Sequence, residues 1–170
     1  DDFQAKQFDS NSGQGQGEGE KLLYRMMSPR KVEPGKKYPL VLFLHGAGGR
    51  GSDNARQVTD ASFCPQLLTQ AGFAVRYPCY LVVPQVPAGR MWMGNNWTPP
   101  GKGRLARDGV IGAALQLVDS LMKELPVDPN RVYVTGLSLG GFGTWDAIVR
   151  RPKFFAAAVP VCGAGDVRQA

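Results

Sequence analysis

Apolar runs alternate with amphipathic stretches along most of the chain. Leu40-Val41-Leu42-Phe43-Leu44 is continuously apolar, Tyr80-Leu81-Val82-Val83-Pro84 is nearly so, and Ala156 to Val161 follows the same pattern. Unbroken apolar runs of this length suit strands covered on both faces, because a half-exposed strand would alternate. Between them, Arg104 to Leu125 carries Ile111, Leu115, Val118, Met122 and Leu125 at intervals of three or four residues. That spacing predicts an amphipathic helix, closed by Pro126. Ala55 to Gln70 has weaker helical signals, with Leu67 and Leu68 inward and Gly72 ending it. Asp128-Pro129-Asn130 predicts a turn into a strand over Arg131–Thr135, and a helix then runs to Arg150. Residues 1–20 form a polar N-terminal segment, in which Asn11 to Glu20 reads as a flexible turn. Asp2 to Phe8, anchored by Phe3, can pair as an edge strand with Leu22–Met27. Residues 21–170 are the body of the domain. Strands alternating with helices predict an α/β fold whose mostly parallel central sheet is flanked by helices. Functional loops then belong at the carboxyl ends of the strands.

Composition narrows the function classes. The 170 residues are 43% hydrophobic and 20% charged, enough for one domain with a real core. The net charge is +6, but the basic residues are scattered in short pairs such as Lys36-Lys37 and Arg150-Arg151. No basic stripe is interleaved with aromatics, so nucleic acid is not an expected partner. Cys64, Cys79 and Cys162 are an odd set in mostly apolar surroundings. They suggest neither a disulfide framework nor a metal site and read as buried free thiols, and no cofactor is implied. No run approaches the roughly 18 apolar residues of a membrane span. The first residues do not form a signal peptide, although a chain processed after secretion reads the same way, so the compartment is not legible.

The chemistry gathers around Val132 to Gly141. A β-branched strand leads into Gly136-Leu137-Ser138-Leu139-Gly140, and a helix follows from near Gly141. This is the nucleophile-elbow pattern. Gly-x-Ser-x-Gly alone also arises in ordinary glycine-rich turns, and the flanking strand and helix separate the two readings. A strained serine needs neighbours that are nearly free of side chains, and Gly136 and Gly140 supply that room. An acyl hydrolase also needs donors for the oxyanion, a base, and an acid that orients the base. One donor is the backbone N–H of Leu139. The second belongs to the loop after the Leu40–Leu44 strand, with Ala47 first and Gly48 next. That loop lacks the spacing of a phosphate cradle.

His45 is the only histidine. On folds of this kind the chain order is nucleophile, acid, histidine, so His45 is read as structural. No histidine follows Ser138 in this chain. Asp166 could reach a triad histidine and is a possible acid, but its plainer reading is a loop residue or helix cap, and the more usual acid lies one strand later. Asp146, two turns into the elbow helix, reads as exposed or structural. Residues 85–103 are a long irregular loop. Its Trp92 and Trp97 either line a substrate cleft or cap the sheet edge.

Four segments carry a family resemblance: Tyr38 to Gly48, Asp128 to Tyr133, Gly136 to Trp145, and Ala158 to Gly163. Together they resemble the α/β-hydrolases, nearest the phospholipase/carboxylesterase-like "predicted peptidases" related to feruloyl and acetylxylan esterases and polyhydroxyalkanoate depolymerases. The resemblance runs from about Leu22 to Asp166. It implies Ser138 as nucleophile, the His45–Gly49 loop as oxyanion loop, and a carboxylic ester substrate, small or linked to polysaccharide. Family members continue into a segment bearing the acid and the histidine. The fold is therefore expected to be truncated after the strand that follows the elbow, leaving Ala156–Val161 as an exposed apolar edge, with a missing C-terminal segment completing sheet and triad. The competing expectation is a non-catalytic ligand- or carbohydrate-binding protein on the same fold. A surface binder of anionic polymers is a third, weaker one.

Overall fold

The computed structural model describes residues 2–10, 21–59, 65, 68–93 and 109–165. Six strands form one sheet: β1 (Gln4–Asp9), β2 (Lys21–Met27), β3 (Tyr38–Leu44), β4 (Tyr80–Pro84), β5 (Val127–Leu137) and β6 (Ala157–Val161). Their order across the sheet is β1-β2-β4-β3-β5-β6. The expected hairpin exists: β1 pairs antiparallel with β2, Gln4 opposite Met26. β2 is antiparallel to β4, and the four strands β4-β3-β5-β6 run parallel. Helices among the described residues include α1 (Arg56–Thr59), α2 (Ala71–Arg76), α3 (Ile111–Glu124) and α4 (Leu139–Arg150).

β4 is buried throughout and β3 nearly so, as their unbroken apolar runs require. Successive side chains point to opposite sides. Leu40, Leu42 and Leu44 of β3 join Val82, Val132 and Val134 in a core under α3, with Ile111, Leu117, Val118 and Leu121 packed onto them. The alternate positions Phe43, Leu81 and Val83 join Met27, Val58 and Phe3 on the other face. Arg151, just after α4, grips Asp119 of α3 with two hydrogen bonds of 2.6 Å and ties the two helices together.

Several boundaries differ from the sequence reading. α3 begins at Ile111, with the Val110 and Ile111 N–H groups donating to the carbonyls of Met91 and Trp92, and the expected start at Arg104 lies outside the described residues. Gly72 does not end a helix but lies inside α2, because Tyr77 is the residue that leaves the helical region. β5 reaches back to Val127. The turn chemistry at Asp128 is real, since its carboxylate accepts from the Asn130 N–H at 3.0 Å and from Arg131 at 2.7 Å. It produces an irregularity within the strand opposite Tyr38–Leu40 instead of a turn before it. β6 is the exposed apolar edge expected of a sheet that stops after this strand, rather than the buried strand its composition suggests: Val159 is 58% and Val161 41% exposed. Cys79 is buried, Cys162 is exposed, and Cys64 and Leu67 lie outside the described residues.

Two substitutions in α3 test this packing. A Cβ added at Gly112 meets nothing within 4 Å, so Gly112→Ala should stabilise by up to about 1 kcal/mol through helix propensity. Leu117 is fully buried in the core, so Leu117→Ala should cost about 2–5 kcal/mol. Urea unfolding midpoints should move in opposite directions at unchanged slope.

Candidate active site

Ser138 occupies the junction between β5 and α4, at φ 53° and ψ −112°. A non-glycine residue at positive φ is strained by about 1–3 kcal/mol and persists only where its surroundings impose it. Here they do. The Ser138 N–H donates to the Val161 carbonyl at 2.8 Å, and its own carbonyl accepts from the Phe142 N–H at 3.1 Å. The side chain is exposed at the carboxyl end of the parallel strands.

The glycines around Ser138 are there because backbones cross. A Cβ on Gly136 would sit 2.7 Å from the Leu44 carbonyl oxygen, and one on Gly140 would overlap that same carbonyl. One on Gly141 would meet the Val161 oxygen and the Gly163 nitrogen. A Cβ on Gly143 would strike the Trp92 side chain at 2.6 Å. The N-terminus of α4 is thereby pressed against the exits of β3 and β6. Its first N–H groups, beginning with Leu139, have no intrahelical acceptor and face the end of the sheet where Ser138 stands.

The loop after β3 arrives beside the elbow. A Cβ built on Gly46 would lie 3.8 Å from the Ser138 Cβ. Ala47–Gly49 form a single 3-10 turn, closed by the Gly49 N–H on the Gly46 carbonyl at 3.1 Å. Ala47 and Gly48 are exposed at its start, the position whose N–H groups such a turn leaves without partners.

His45 belongs to the scaffold. Its Nε2 accepts from the Val86 N–H at 3.0 Å, so the ring proton sits on Nδ1, 2.6 Å from the Gly46 carbonyl oxygen. The lone pair that a general base would need is already engaged away from Ser138. Trp92 stands edge-on to this ring, centroids 5.1 Å apart, and its indole N–H donates to the His45 carbonyl at 3.0 Å. Trp92 is fully buried, which corrects the expectation that it lines a cleft: both its apolar body and its polar edge are consumed by the core. Trp97 and Asp166 lie outside the described residues. Asp146 is buried rather than exposed and pairs with Arg150 at 2.9 Å. Burial raises its carboxyl above the ordinary value, and Arg150 opposes that shift.

Sequence reasoning missed the polar network behind the His45–Gly51 loop, built on Gln85, Asp53, Asn54 and Gln57. The one available signal was a glutamine directly after a fully apolar strand, where a buried polar side chain needs partners. Among the described residues, no group of three His, Cys, Asp or Glu is placed to hold a metal, and no helix is long and apolar enough to cross a membrane.

Comparison with known proteins bears on the family and the fold. The model of the prolyl oligopeptidase family matches residues 60–170. Poly(3-hydroxyalkanoate) depolymerase C of Paucimonas lemoignei is 32% identical over 129 residues, covering 74% of this chain and 28% of its own. Dipeptidyl-peptidase 5 of Porphyromonas endodontalis is 28% identical over 127 residues, covering 75% and 17%. The chain thus spans less than a third of the length of these curated relatives. The crystal structure of a thermostable esterase superposes with a TM-score of 0.84 at 38% identity, over 99% of this chain and 43% of that one. The sheet and its helices are those of the α/β-hydrolase fold.

Two measurements follow from the site. Gly140→Ala should abolish soluble folded protein, because its Cβ and the Leu44 carbonyl cannot both be accommodated. The control is Gly112→Ala, which should express normally. Asp53 is held down to about 2, first by the Gln85 side chain and then by the N–H groups of Ala55 and Arg56. A depressed acid stabilises the fold above its ordinary value of 3.8 and loses that contribution as pH falls toward 2. The stability gap between wild type and Asp53→Asn should therefore be present at neutral pH and close on acidification.

Proposed function

The chain belongs to the prolyl oligopeptidase family, and from that membership we propose that it carries the nucleophile and oxyanion hole of a serine hydrolase acting on carboxylic esters. The observation that carries the reading is the exposed Ser138 at φ 53°, with Gly46 and the Ala47–Gly49 turn beside it. A binding module has no use for a strained, exposed serine beside a helix start and a glycine-rich turn whose first N–H groups have no acceptor of their own element.

The proposed reaction is acyl transfer. Ser138 Oγ attacks the ester carbonyl, and the oxygen that becomes negative is met by the N–H of Leu139 and by that of Ala47, with Gly48 as neighbour. The alcohol leaves, an acyl-Ser138 ester remains, and water hydrolyses it. Because the His45 lone pair is taken by Val86, the base that accepts the serine proton is proposed to be a histidine outside these 170 residues. Its orienting acid is either Asp166 or a residue that accompanies that histidine. The segment bearing them would also extend the sheet beyond β6. The ester is favoured over the amide by the likeness to an esterase and to a polyester depolymerase. The substrate is proposed to be a small or polysaccharide-linked ester.

Hydrolysis of p-nitrophenyl acetate and butyrate tests this. The full-length protein should turn over both, and Ser138→Ala should lower kcat by at least about 10³-fold, as loss of a triad nucleophile does. The 170 residues alone should stay near background, since the oxyanion hole without a base leaves at most roughly 10³–10⁴-fold over water. Brisk Ser138-dependent turnover by the 170 residues would return His45 to the role of base. Cleavage of a peptide p-nitroanilide in preference to the esters would make the enzyme a peptidase. Full-length protein inert toward both would favour the binding reading.

A further inference from the structure

The loop bearing Ala47 and Gly48 is held from behind by a side chain that no step above uses. Gln85 follows β4 and is 1% exposed. Its Oε1 accepts from the Asn54 backbone N–H at 2.8 Å. Its Nε2 donates to the Gly49 carbonyl at 3.1 Å and to Asp53 Oδ1 at 2.8 Å. Asp53 Oδ1 is fixed in turn by the N–H groups of Ala55 at 3.0 Å and Arg56 at 3.2 Å. One residue further on, the Gly51 N–H donates to the Val86 carbonyl at 2.9 Å. The far end of the loop is anchored as well: Asn54, at φ 50°, donates its side-chain amide to the Lys6 carbonyl at 3.1 Å and accepts from Gln57 at 2.6 Å. Arg25 reaches the Asn54 carbonyl and donates to the Phe3 carbonyl at 3.0 Å. Val86 serves the near end by donating to His45 Nε2.

This matters because of what the loop is made of. Gly46, Gly48, Gly49 and Gly51 give it little intrinsic conformational preference. Donors aimed at a developing oxyanion help only if they are already in place when the charge appears. A glycine-rich loop therefore needs an external template. An amide is the neutral side chain that offers both a carbonyl acceptor and an N–H pair, so it can satisfy a backbone N–H, a backbone carbonyl and a carboxylate together. Glutamate would lose both donors and face Asp53 with a like charge.

We propose that Gln85 is a positioning residue for acyl transfer: by clamping Gly49, Asp53 and Asn54 to the end of β4, it holds the Ala47 and Gly48 N–H groups where the oxyanion forms. The proposal rests on the reading of Ser138 as nucleophile. It predicts an effect on the transition state larger than the effect on substrate binding, which a purely structural role would not produce.

The test uses the full-length protein with Gln85→Leu, Gln85→Glu and Asp53→Ala, beside Leu117→Ala as a control destabilised away from the loop. Kinetics are read with p-nitrophenyl acetate, and phenylboronic acid serves as a tetrahedral mimic. Gln85→Leu and Gln85→Glu should lower kcat by about 10–100-fold, less than or equal to the loss of an oxyanion donor itself. KM should stay within about threefold, and boronate inhibition should weaken in parallel with kcat. Asp53→Ala, which removes one anchor on the exposed side, should lower kcat several-fold in the same pattern. Leu117→Ala should lose stability and keep its kcat. If Gln85→Leu does not yield folded protein, Gln85→Glu and Asp53→Ala decide the matter. Variants with kcat and boronate affinity of wild type overturn the clamp while Ser138→Ala loss leaves the nucleophile standing. An undiminished rate in Ser138→Ala overturns both.

Discussion

The structure depends on one backbone crossing. The start of α4 passes so close to the exit of β3 that the Leu44 carbonyl fills the space where Gly140 would carry a Cβ, and Gly136 approaches the same oxygen. No side-chain interaction could substitute for this, because the constraint is the absence of a side chain. The crossing brings the two loop ends within van der Waals reach, so that Gly46 borders Ser138. Everything behind the crossing serves to keep it. Trp92 fills the space against Gly143 and holds the His45 carbonyl. His45 in turn receives the Val86 N–H, and Gln85 fastens the remainder of the loop.

The parts legible in the sequence were those written in periodicity or in glycine spacing. Unbroken apolar runs located β3 and β4, because a strand buried on both faces leaves no room for polar alternation. Gly136-x-Ser138-x-Gly140 located the elbow, because a tight crossing restricts residue choice at fixed intervals. The misreadings have equally specific causes. Trp92 was left between a cleft wall and a sheet-edge cap because sequence does not show where an indole N–H finds its partner, here the His45 carbonyl from 47 residues earlier. The apolar run Ala156–Val161 reads as buried by composition alone and as an exposed edge once the sheet is expected to stop there; the edge is what is seen, because burial depends on what lies against a strand. Gln85 was passed over because a buried amide announces nothing locally: its partners at Gly49, Asp53 and Asn54 are more than 30 residues away.

His45 shows why residue type is a poor guide to role. It is the only histidine, it follows a central strand, and it stands within one residue of the loop that borders Ser138. Those are the credentials of a general base. Hydrogen-bond direction removes them. An imidazole whose Nε2 accepts a backbone N–H, and whose Nδ1–H faces a carbonyl, is a rigid connector with no lone pair to spare.

The distribution of strain fits the same division of labour. Positive φ at Ser138 costs about 1–3 kcal/mol, a sum that must be offset by what surrounds it. The offset comes from hydrogen bonds that a relaxed serine would lose: its N–H to Val161 on one side and its carbonyl to Phe142 on the other. Cys162, immediately after that Val161 acceptor, also sits at positive φ, 52°. The two strained residues are thus coupled through one carbonyl between adjacent parallel strands, and Gly141 and Gly163 leave the space in which both turns fit. Relaxing either would move the other. The exposed serine is therefore fixed by its whole neighbourhood rather than by its own side chain, which makes no hydrogen bond within the elbow helix cap. Its Oγ is left for whatever approaches from solvent.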